Sequence, residues 1–391
     1  MRFDPYSEDC RRNPYPVYRA LRQDAPAYFD EEKGFWALSR FADVLSALHD
    51  PETFLSGQGI VLEGQPRTPY PMIIAMDPPR HSQLRALVAR AFTGRAIGSS
   101  APAIRTLARE LIDAFAGSGE VELVEALSGA LPLLVIGNLL GVEREGLGEF
   151  RRLADMLLAQ HPGDPSSLEA GATASAALLD GIRSVVNQRR RSPRDDLISA
   201  LVAATVDGAR LDEQEILGFC YLLILAGTET TTNLIANGVL ALAAHPDQRS
   251  ELIREPSLLP QAIEEILRWD SPVQSQARTT SRPIELHGRT IPEGAKVLIL
   301  FGSAGRDERE YADAERFDIH RRIERHLTFG HGIHFCLGAA LARLEAQIAF
   351  EELLRCIPDW HVDSEPDELE RVRPYMVRGP ARLPLRFTPV G

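Results

Sequence analysis

The chain has 391 residues, of which 44% are hydrophobic and 25% charged, as in an ordinary soluble globular protein. Its formal net charge of −12 at pH 7 argues against a protein that coats nucleic acid or an anionic membrane. The four cysteines lie far apart in the sequence, which excludes the paired spacing of a zinc site and suits the reducing cytoplasm. We therefore expect a cytoplasmic protein with no nucleic-acid or membrane partner.

Short elements are predicted at the start of the chain. The opening residues are charged where a signal peptide would be apolar, so we expect no targeting segment. Residues 15–21 and 41–48 have the periodicity of helices, and residues 27–29 and 34–38 between them predict a small hairpin. The stretch from Pro51 to Pro71 is rich in glycine and proline and predicts a long loop.

A series of helices is predicted after this loop. The first contains His81 and Arg85, which share one helix face behind Pro78 and Pro79. Taken alone, each of these two basic residues is most simply a solvated surface residue. The turn-forming segment His161 to Ser167 separates the last two helices of the series. Periodicity predicts these helices over residues 80–92, 104–115, 131–140, 149–158 and 168–188.

A long helix is predicted next. It starts at a capping box formed by Asp212 and Glu215 and continues to about Ala244. Around residues 222–226 it is apolar on every face, which indicates a helix inside the core. Its apolar stretch, like residues 131–142, is shorter than the roughly 20 residues needed to span a bilayer.

A polar cluster, Gly227-Thr228-Glu229-Thr230, interrupts this apolar helix. Burying such groups without partners costs about 1 to 3 kcal/mol each. One interpretation is a helix bend in which threonine hydroxyls bond to carbonyls one turn earlier, although this leaves Glu229 unexplained. The other is a functional site in which Glu229 and Thr230 act as an acid and alcohol pair.

Two charged residues, Glu265 and Arg268, share one face of a further helix. On that spacing alone they form an ordinary ion pair worth about a few tenths of a kcal/mol. Short alternating segments after residue 277 predict strands.

A single cysteine, Cys336, lies between glycines and directly precedes a helix-forming run from Ala339 to Arg343. Unpaired backbone N–H groups and the helix dipole at such a position favour a thiolate. A lone cysteine cannot form a zinc site, but it can be the single axial ligand of a haem iron. The alternative is a buried structural cysteine.

The ten residues 329–338 resemble the haem-binding signature of the cytochrome P450 family, F-G-x-G-x-H/R-x-C-x-G, at every fixed position. Residues 226–230 are similar to the family's oxygen-activation motif A/G-G-x-D/E-T. Residues 265–268 match its E-x-x-R pattern, and residues 81–85 match its H-x-x-x-R pattern. On these motifs the chain is identified as a member of the family, of the soluble bacterial type.

The resemblance implies a mainly α fold with small β-sheets. In this P450 fold, a triangular helical prism, haem lies between the long central helix and the cysteine-bearing loop. We expect a single domain over residues 1–391. Its small β-rich parts are expected near residues 25–40 and 277–300, and its helical core over residues 80–270 and 338–356.

The resemblance also implies roles for individual residues. Cys336 would be the metal ligand, Thr230 and Glu229 the catalytic pair that delivers protons, and Glu265, Arg268 and Arg321 a structural triad behind the cysteine loop. Residues 304–308 read A-G-R-D-E where the family has A-N-R-D-P, which puts the rigidity of that segment in doubt. The residues implied to bind haem b are Cys336, His81, Arg85, Arg278, His334, Ala226, Gly227, Phe329, Gly330 and Gly338.

The implied activity is a monooxygenase that uses dioxygen to hydroxylate or otherwise oxidise a hydrophobic small organic substrate. The 55 residues after Cys336 are too few for a redox domain, so NAD(P)H would act through a separate reductase and a ferredoxin or flavodoxin. A peroxide-driven or rearranging haem-thiolate enzyme, or a haem-thiolate sensor, remains the alternative. We expect a monomer.

Two surfaces are implied by position in the resembled fold. Arg90, Arg95 and Arg343 are expected to contact the electron donor near the cysteine, and the segment His161 to Ser167 is expected to cap the substrate chamber. The residues expected to line the substrate pocket are Ile73, Ile74, Leu222, Leu225, Val273, Gln274 and Met376.

Overall fold

The computed structural model describes residues 2–63, 70–89, 92, 94–158, 165–206, 208–363 and 368–389. Helices dominate these ranges, as predicted. The α-helices are α1 (Glu8–Arg12), α2 (Tyr15–Asp24), α3 (Phe41–His49), α4 (Arg80–Ala89), α5 (Gly94–Ser99), α6 (Ala101–Asp113), α7 (Ala130–Leu139), α8 (Leu147–Leu158), α9 (Pro165–Arg191), α10 (Leu197–Ala203), α11 (Glu213–Ala244), α12 (Pro246–Arg254), α13 (Leu259–Trp269), α14 (Phe301–Ala304) and α15 (Ala339–Cys356).

Within the described ranges, the strands form one sheet of five and three pairs. Strands from both predicted β-rich parts join in the larger sheet, whose order is β1-β2-β10-β7-β3, while β8 and β9 form a separate pair. In it the predicted hairpin pairs antiparallel, and β2 runs parallel to β10. The strands are β1 (Ala27–Asp30), β2 (Phe35–Leu38), β3 (Phe54–Leu55), β4 (Glu120–Glu122), β5 (Thr205–Val206), β6 (Ala209–Arg210), β7 (Ser275–Thr280), β8 (Ile284–Leu286), β9 (Arg289–Ile291), β10 (Lys296–Leu300) and β11 (Pro384–Arg386).

Some predicted boundaries were wrong. The long loop predicted from Pro51 to Pro71 contains the short strand β3, which pairs with the edge of β7. The helix predicted to start at residue 104 starts at Ala101, because Pro102 in its first turn needs no intrahelical donor. The helix predicted over residues 168–188 extends from Pro165 to Arg191. Residues 159–164, which include most of the predicted capping loop, lie outside the described residues.

Helix α11 is the central element. Its predicted capping box is confirmed, because the Asp212 side chain accepts from the Glu215 N–H at 2.8 Å and the Glu215 carboxylate accepts from the Asp212 N–H at 3.0 Å. The helix runs unbroken for 32 residues and packs against α7, α13 and α15. Contrary to the sequence prediction, it is long and apolar enough by length and composition to cross a membrane, but half of its most apolar window is buried inside the protein, as in a core helix.

Candidate active site

The cysteine loop is shaped by two glycines. Gly330 and Gly332 both have φ of +68°, a backbone conformation that strongly favours glycine. A Cβ at Gly332 would lie 2.4 Å from the backbone oxygen of Leu48, so this glycine also lets α3 pack onto the loop. The Cys336 N–H donates to the Phe329 carbonyl at 2.8 Å, which closes the loop just before α15 begins.

Cys336 lines a cavity of about 220 Å³. Burial raises the pKa of the Cys336 thiol, while the Gly338 N–H and the charges of Arg85 and Arg343 act to lower it. The sequence predicted the contribution of the backbone N–H groups but not that burial outweighs it. A metal ion deprotonates a coordinating thiol outright, so this environment fits a sulfur that is ionised only when it ligates metal.

One face of α11 forms the opposite wall of the cavity. Eight of its residues line the cavity: Phe219, Leu222, Leu223, Ala226, Gly227, Thr230, Thr231 and Leu234. They recur at the spacing of one helical stripe. Leu225 and Glu229, four residues apart, lie outside this stripe and are not among the lining residues. The prediction that Leu225 lines the pocket was therefore wrong, and Glu229 adjoins the cavity face without being part of it.

The polar cluster of α11 forms the local bonds of the first interpretation. The Thr230 hydroxyl donates to the Ala226 carbonyl at 2.7 Å, and the Thr232 hydroxyl donates to the Thr228 carbonyl at 2.8 Å. The Thr230 side chain nevertheless faces the cavity. Burial raises the pKa of the Glu229 carboxyl, which makes it a better proton donor near neutral pH. A Cβ at Gly227 would lie 2.9 Å from the Ile136 side chain, so this glycine lets α7 approach α11.

Four basic side chains, His81, Arg85, Arg278 and His334, line the same cavity and are called the basic quartet below. Nδ1 of His81 and Nε2 of His334 are buried without a hydrogen-bond partner in the described part of the chain. Arg278 is 4% exposed and donates to the Ala277 carbonyl and the Gln276 side chain. Buried polar atoms of this kind need hydrogen-bond partners, and the two carboxylates of haem would supply partners for this basic cluster. The basic quartet therefore fits the carboxylates of a haem group.

Burial also sets the charge of the quartet. It lowers the pKa of His334 to about 3, with smaller contributions from Arg278, His81 and Arg85, and it lowers the pKa of His81. Burial lowers the pKa of Arg278 to about 10. At neutral pH the two arginines are therefore charged, while His334 is a neutral imidazole.

The predicted triad has ion-pair geometry. Arg268 forms two bonds to Glu265, at 2.6 and 2.8 Å, and both side chains are fully buried. Arg321 approaches Glu265 at 3.2 Å. Both arginines also donate to backbone carbonyls between residues 305 and 316. These bonds hold the segment whose rigidity the A-G-R-D-E sequence had put in doubt.

The apolar part of the cavity includes four of the predicted pocket residues, Ile73, Ile74, Leu222 and Val273. Gln274 was wrongly predicted, because its side chain bonds to the Ser271 carbonyl at 2.7 Å and does not line the cavity. Met376 was also wrongly predicted, because it is not among the residues that line the cavity. Lining residues that the sequence reasoning missed include Phe92, Ile136, Phe219, Gln276 and Glu345.

Glu345 is the most unusual of these missed residues. It is 2% exposed, its Oε2 has no partner in the described ranges, and burial raises its pKa to about 8. The only signal in the sequence is an acid on an otherwise buried stripe of α15, together with Leu341 and Ile348. Its carboxyl is therefore mostly protonated at neutral pH.

We expect Glu345→Gln to remove one component of the pH dependence of stability. Because the folded-state pKa of Glu345 lies above its ordinary value, the unfolded chain ionises first, and wild-type stability falls as pH rises from about 5 to about 8. The variant should become more stable relative to wild type over that interval and show a constant difference above it. Urea unfolding at several pH values measures this, with exposed Glu149→Gln as the control, and a constant difference from pH 5 to 8 would contradict it.

Of the three arginines predicted to contact the electron donor, the structure describes the side chain of only Arg343. Arg90 and the side chain of Arg95 lie outside the described residues. Arg343 forms two bonds to Glu264, at 2.6 and 2.8 Å. Its charge is therefore partly compensated within the chain, and its contact with an electron donor stays a prediction.

Comparisons with known proteins agree with this geometry. A family model described as Cytochrome P450 matches residues 165–369. Vitamin D(3) 25-hydroxylase of Pseudonocardia autotrophica is 39% identical over 394 residues, covering 99% of this chain and 96% of that protein. The structure of cytochrome P450 CYP109Q5 from Chondromyces apiculatus is 38% identical with a TM-score of 0.91, covering 99% of this chain and 98% of that one. CYP109E1 from Bacillus megaterium, solved with testosterone, is 35% identical with a TM-score of 0.88, covering 96% of this chain and 99% of that one.

Proposed function

Because the chain belongs to the cytochrome P450 family, and is thus an oxidoreductase of the monooxygenase type, we propose that it oxidises a mid-sized hydrophobic organic molecule with dioxygen. One observation carries the proposal. A lone cysteine, the basic quartet and the Thr230 face of α11 all line one cavity. This combination suits a haem held by its sulfur ligand and its carboxylates, with space for substrate beside α11.

Each group of residues has a proposed task. Haem, when bound, supplies the redox chemistry that activates dioxygen. Cys336 would ligate its iron, and the basic quartet would bind its carboxylates by charge-assisted hydrogen bonds. Thr230 would hold a proton or a water molecule on the cavity face. Glu229, whose pKa is raised by burial, would pass protons to Thr230 from outside the cavity.

The substrate class follows from the lining of the cavity. Ile73, Ile74, Phe219, Leu222 and Val273 form an apolar surface, on which a charged or sugar-like substrate would lose its hydration without compensation. A rigid, largely apolar molecule gains most from such a surface. The name of the relative from Pseudonocardia, and the testosterone held by CYP109E1, support a steroid-like or secosteroid-like size.

Electrons are proposed to come from a ferredoxin or flavodoxin and its NAD(P)H-dependent reductase. A reconstituted system of this kind also provides the test. Compounds would first be screened for a shift in the haem absorption band, and the compounds that bind would be incubated with the reductase system under ¹⁸O₂. One ¹⁸O atom in the product is the expected result.

Other results would favour the other functions. Faster turnover with hydrogen peroxide alone would indicate a peroxide-driven enzyme. Binding shifts with no oxidised product under either condition would indicate a sensor.

We expect Thr230→Val to separate electron consumption from product formation. The hydroxyl that faces the cavity is lost, while the side-chain volume is nearly retained. The fraction of NAD(P)H electrons recovered in product should fall by roughly tenfold or more, as on removal of a proton-transfer group. Product and NAD(P)H are measured in the same reaction.

Thr232→Val is the matched control for this experiment. Its hydroxyl forms the same bond to a carbonyl one turn earlier, but Thr232 is not among the cavity-lining residues. Equal losses in both variants would show that helix geometry, and not the cavity hydroxyl, is responsible.

A further inference from the structure

The carboxylate of Glu264 joins three parts of the chain around the cysteine loop. Glu264 lies on α13, beside the Glu265 of the triad. It accepts two bonds from Arg343 of α15. Its second oxygen also lies 3.0 Å from Nε2 of His326, in the segment that leads into the loop. Nothing in the sequence distinguished Glu264 from its neighbour in the E-x-x-R pattern, because its partners are distant along the chain.

Both partners of Glu264 contact the aromatic ring at the start of the loop. The Arg343 guanidinium lies 4.5 Å from the centre of the Phe329 ring, and the His326 ring lies 5.7 Å from it. The Phe329 carbonyl in turn accepts the N–H of Cys336. A change at Glu264 therefore reaches the cysteine through two contacts, first Arg343 or His326 and then Phe329.

Glu264 and Arg343 also determine the charge near the Cys336 sulfur. The Arg343 guanidinium lies against the Phe329 ring, and Phe329 is the residue whose carbonyl accepts the Cys336 N–H, so the Arg343 charge lies near the sulfur. Although burial opposes it, hydrogen bonds to Arg343 and His326 hold the pKa of Glu264 at about 2, so that Glu264 is ionised at neutral pH. The Glu264 side chain is 28% exposed and that of Arg343 is 38% exposed, so solvent weakens the effect of each charge without removing it.

We propose that Glu264 is a positioning residue that holds Arg343 against Phe329, compensates the Arg343 charge beside Cys336, and so sets the reduction potential of the haem that this sulfur ligates. The inference rests on the haem ligation in the proposed function. Removing the anion leaves a cation near the iron, which favours the reduced state. Removing the cation leaves an anion there, which favours the oxidised state.

A double-mutant cycle on the haem-loaded protein tests this. With Glu264→Gln, the ratio of reduced to oxidised haem at a fixed applied potential should rise about two- to fivefold, as expected for a partly exposed charge. With Arg343→Gln the ratio should fall by a similar factor. The Glu264→Gln/Arg343→Gln double variant should return close to wild type, because both charges are then absent. Spectroelectrochemical titration measures all four proteins.

A purely structural role predicts a different pattern. If the pair only keeps the loop in place, both single variants should shift the ratio in the same direction, and the double variant should not return to wild type. That pattern, or single variants indistinguishable from Glu149→Gln, would overturn the proposal. Glu149→Gln is the matched control because Glu149 forms a similar two-bond pair with Arg152 on α8, which contributes no described residue to the cavity lining.

If the glutamine variants lose haem, two charge-conserving variants test the proposal instead. Glu264→Asp and Arg343→Lys keep both charges while altering the bonds, and should keep the ratio within about twofold of wild type. A larger shift in both would overturn the proposal. The absorption of the wild-type reduced carbonyl complex separates the two proposals: a histidine-type band would reject the haem-thiolate function, whereas a thiolate-type band with unshifted variants would reject only the role of Glu264.

Discussion

Replacing Cys336 by serine should reduce substrate oxidation to background while leaving the fold intact. A serine hydroxyl does not ionise near neutral pH, so it cannot supply the electron density that a thiolate gives to the iron. The fold should persist because the backbone bond from residue 336 to the Phe329 carbonyl does not involve the side chain. Circular dichroism, haem content and the absorption of the reduced carbonyl complex measure these effects separately.

Cys356→Ser is the control for this experiment. Cys356 is a free, half-buried cysteine at the end of α15 and does not line the cavity. It should retain activity and the thiolate-type absorption band. Loss of the band in this variant, or its persistence in Cys336→Ser, would reject Cys336 as the ligand.

Residues recognised by local sequence motifs were placed well by sequence reasoning. The glycines around Cys336 and the capping box of α11 depend on backbone geometry within a few residues, so their pattern is readable in the sequence. The basic quartet could be proposed because the resemblance joined residues that are 253 positions apart, from His81 to His334. Composition and periodicity alone gave no reason to bring them together.

The errors came from side-chain direction and from distant contacts. Leu225 was assigned to the pocket although Leu222, Ala226 and Thr230 define a stripe that excludes it, a distinction that helical periodicity already contains. Gln274 could not be excluded in this way, because its bond to the Ser271 carbonyl depends on the turn before β7. Glu264 and Glu345 were missed because their environments are built by helices and loops that meet only in the folded chain.

The buried triad should matter far more to stability than its helical spacing alone indicates. Arg268→Ala should lower the free energy of unfolding by about 3 to 5 kcal/mol, because it leaves the Glu265 carboxylate buried and without its main cation. It also removes the donors to the carbonyls of Gly305 and Ala314. Arg321→Ala should cost less, since Arg321 is partly exposed and forms a single longer contact to Glu265. Urea unfolding and haem retention measure both.

Arg152→Ala isolates the effect of burial from that of spacing. Arg152 and Glu149 have the same i to i+3 arrangement as Arg268 and Glu265, but both side chains are more than half exposed, and exposed pairs contribute little. The free energy of unfolding of Arg152→Ala should therefore be close to that of wild type. The double variant Glu265→Leu/Arg268→Met should be more stable than Arg268→Ala, because no charge is then left unpaired in the core. If Arg268→Ala were no more destabilising than Arg152→Ala, the triad would not be the support of the cysteine loop.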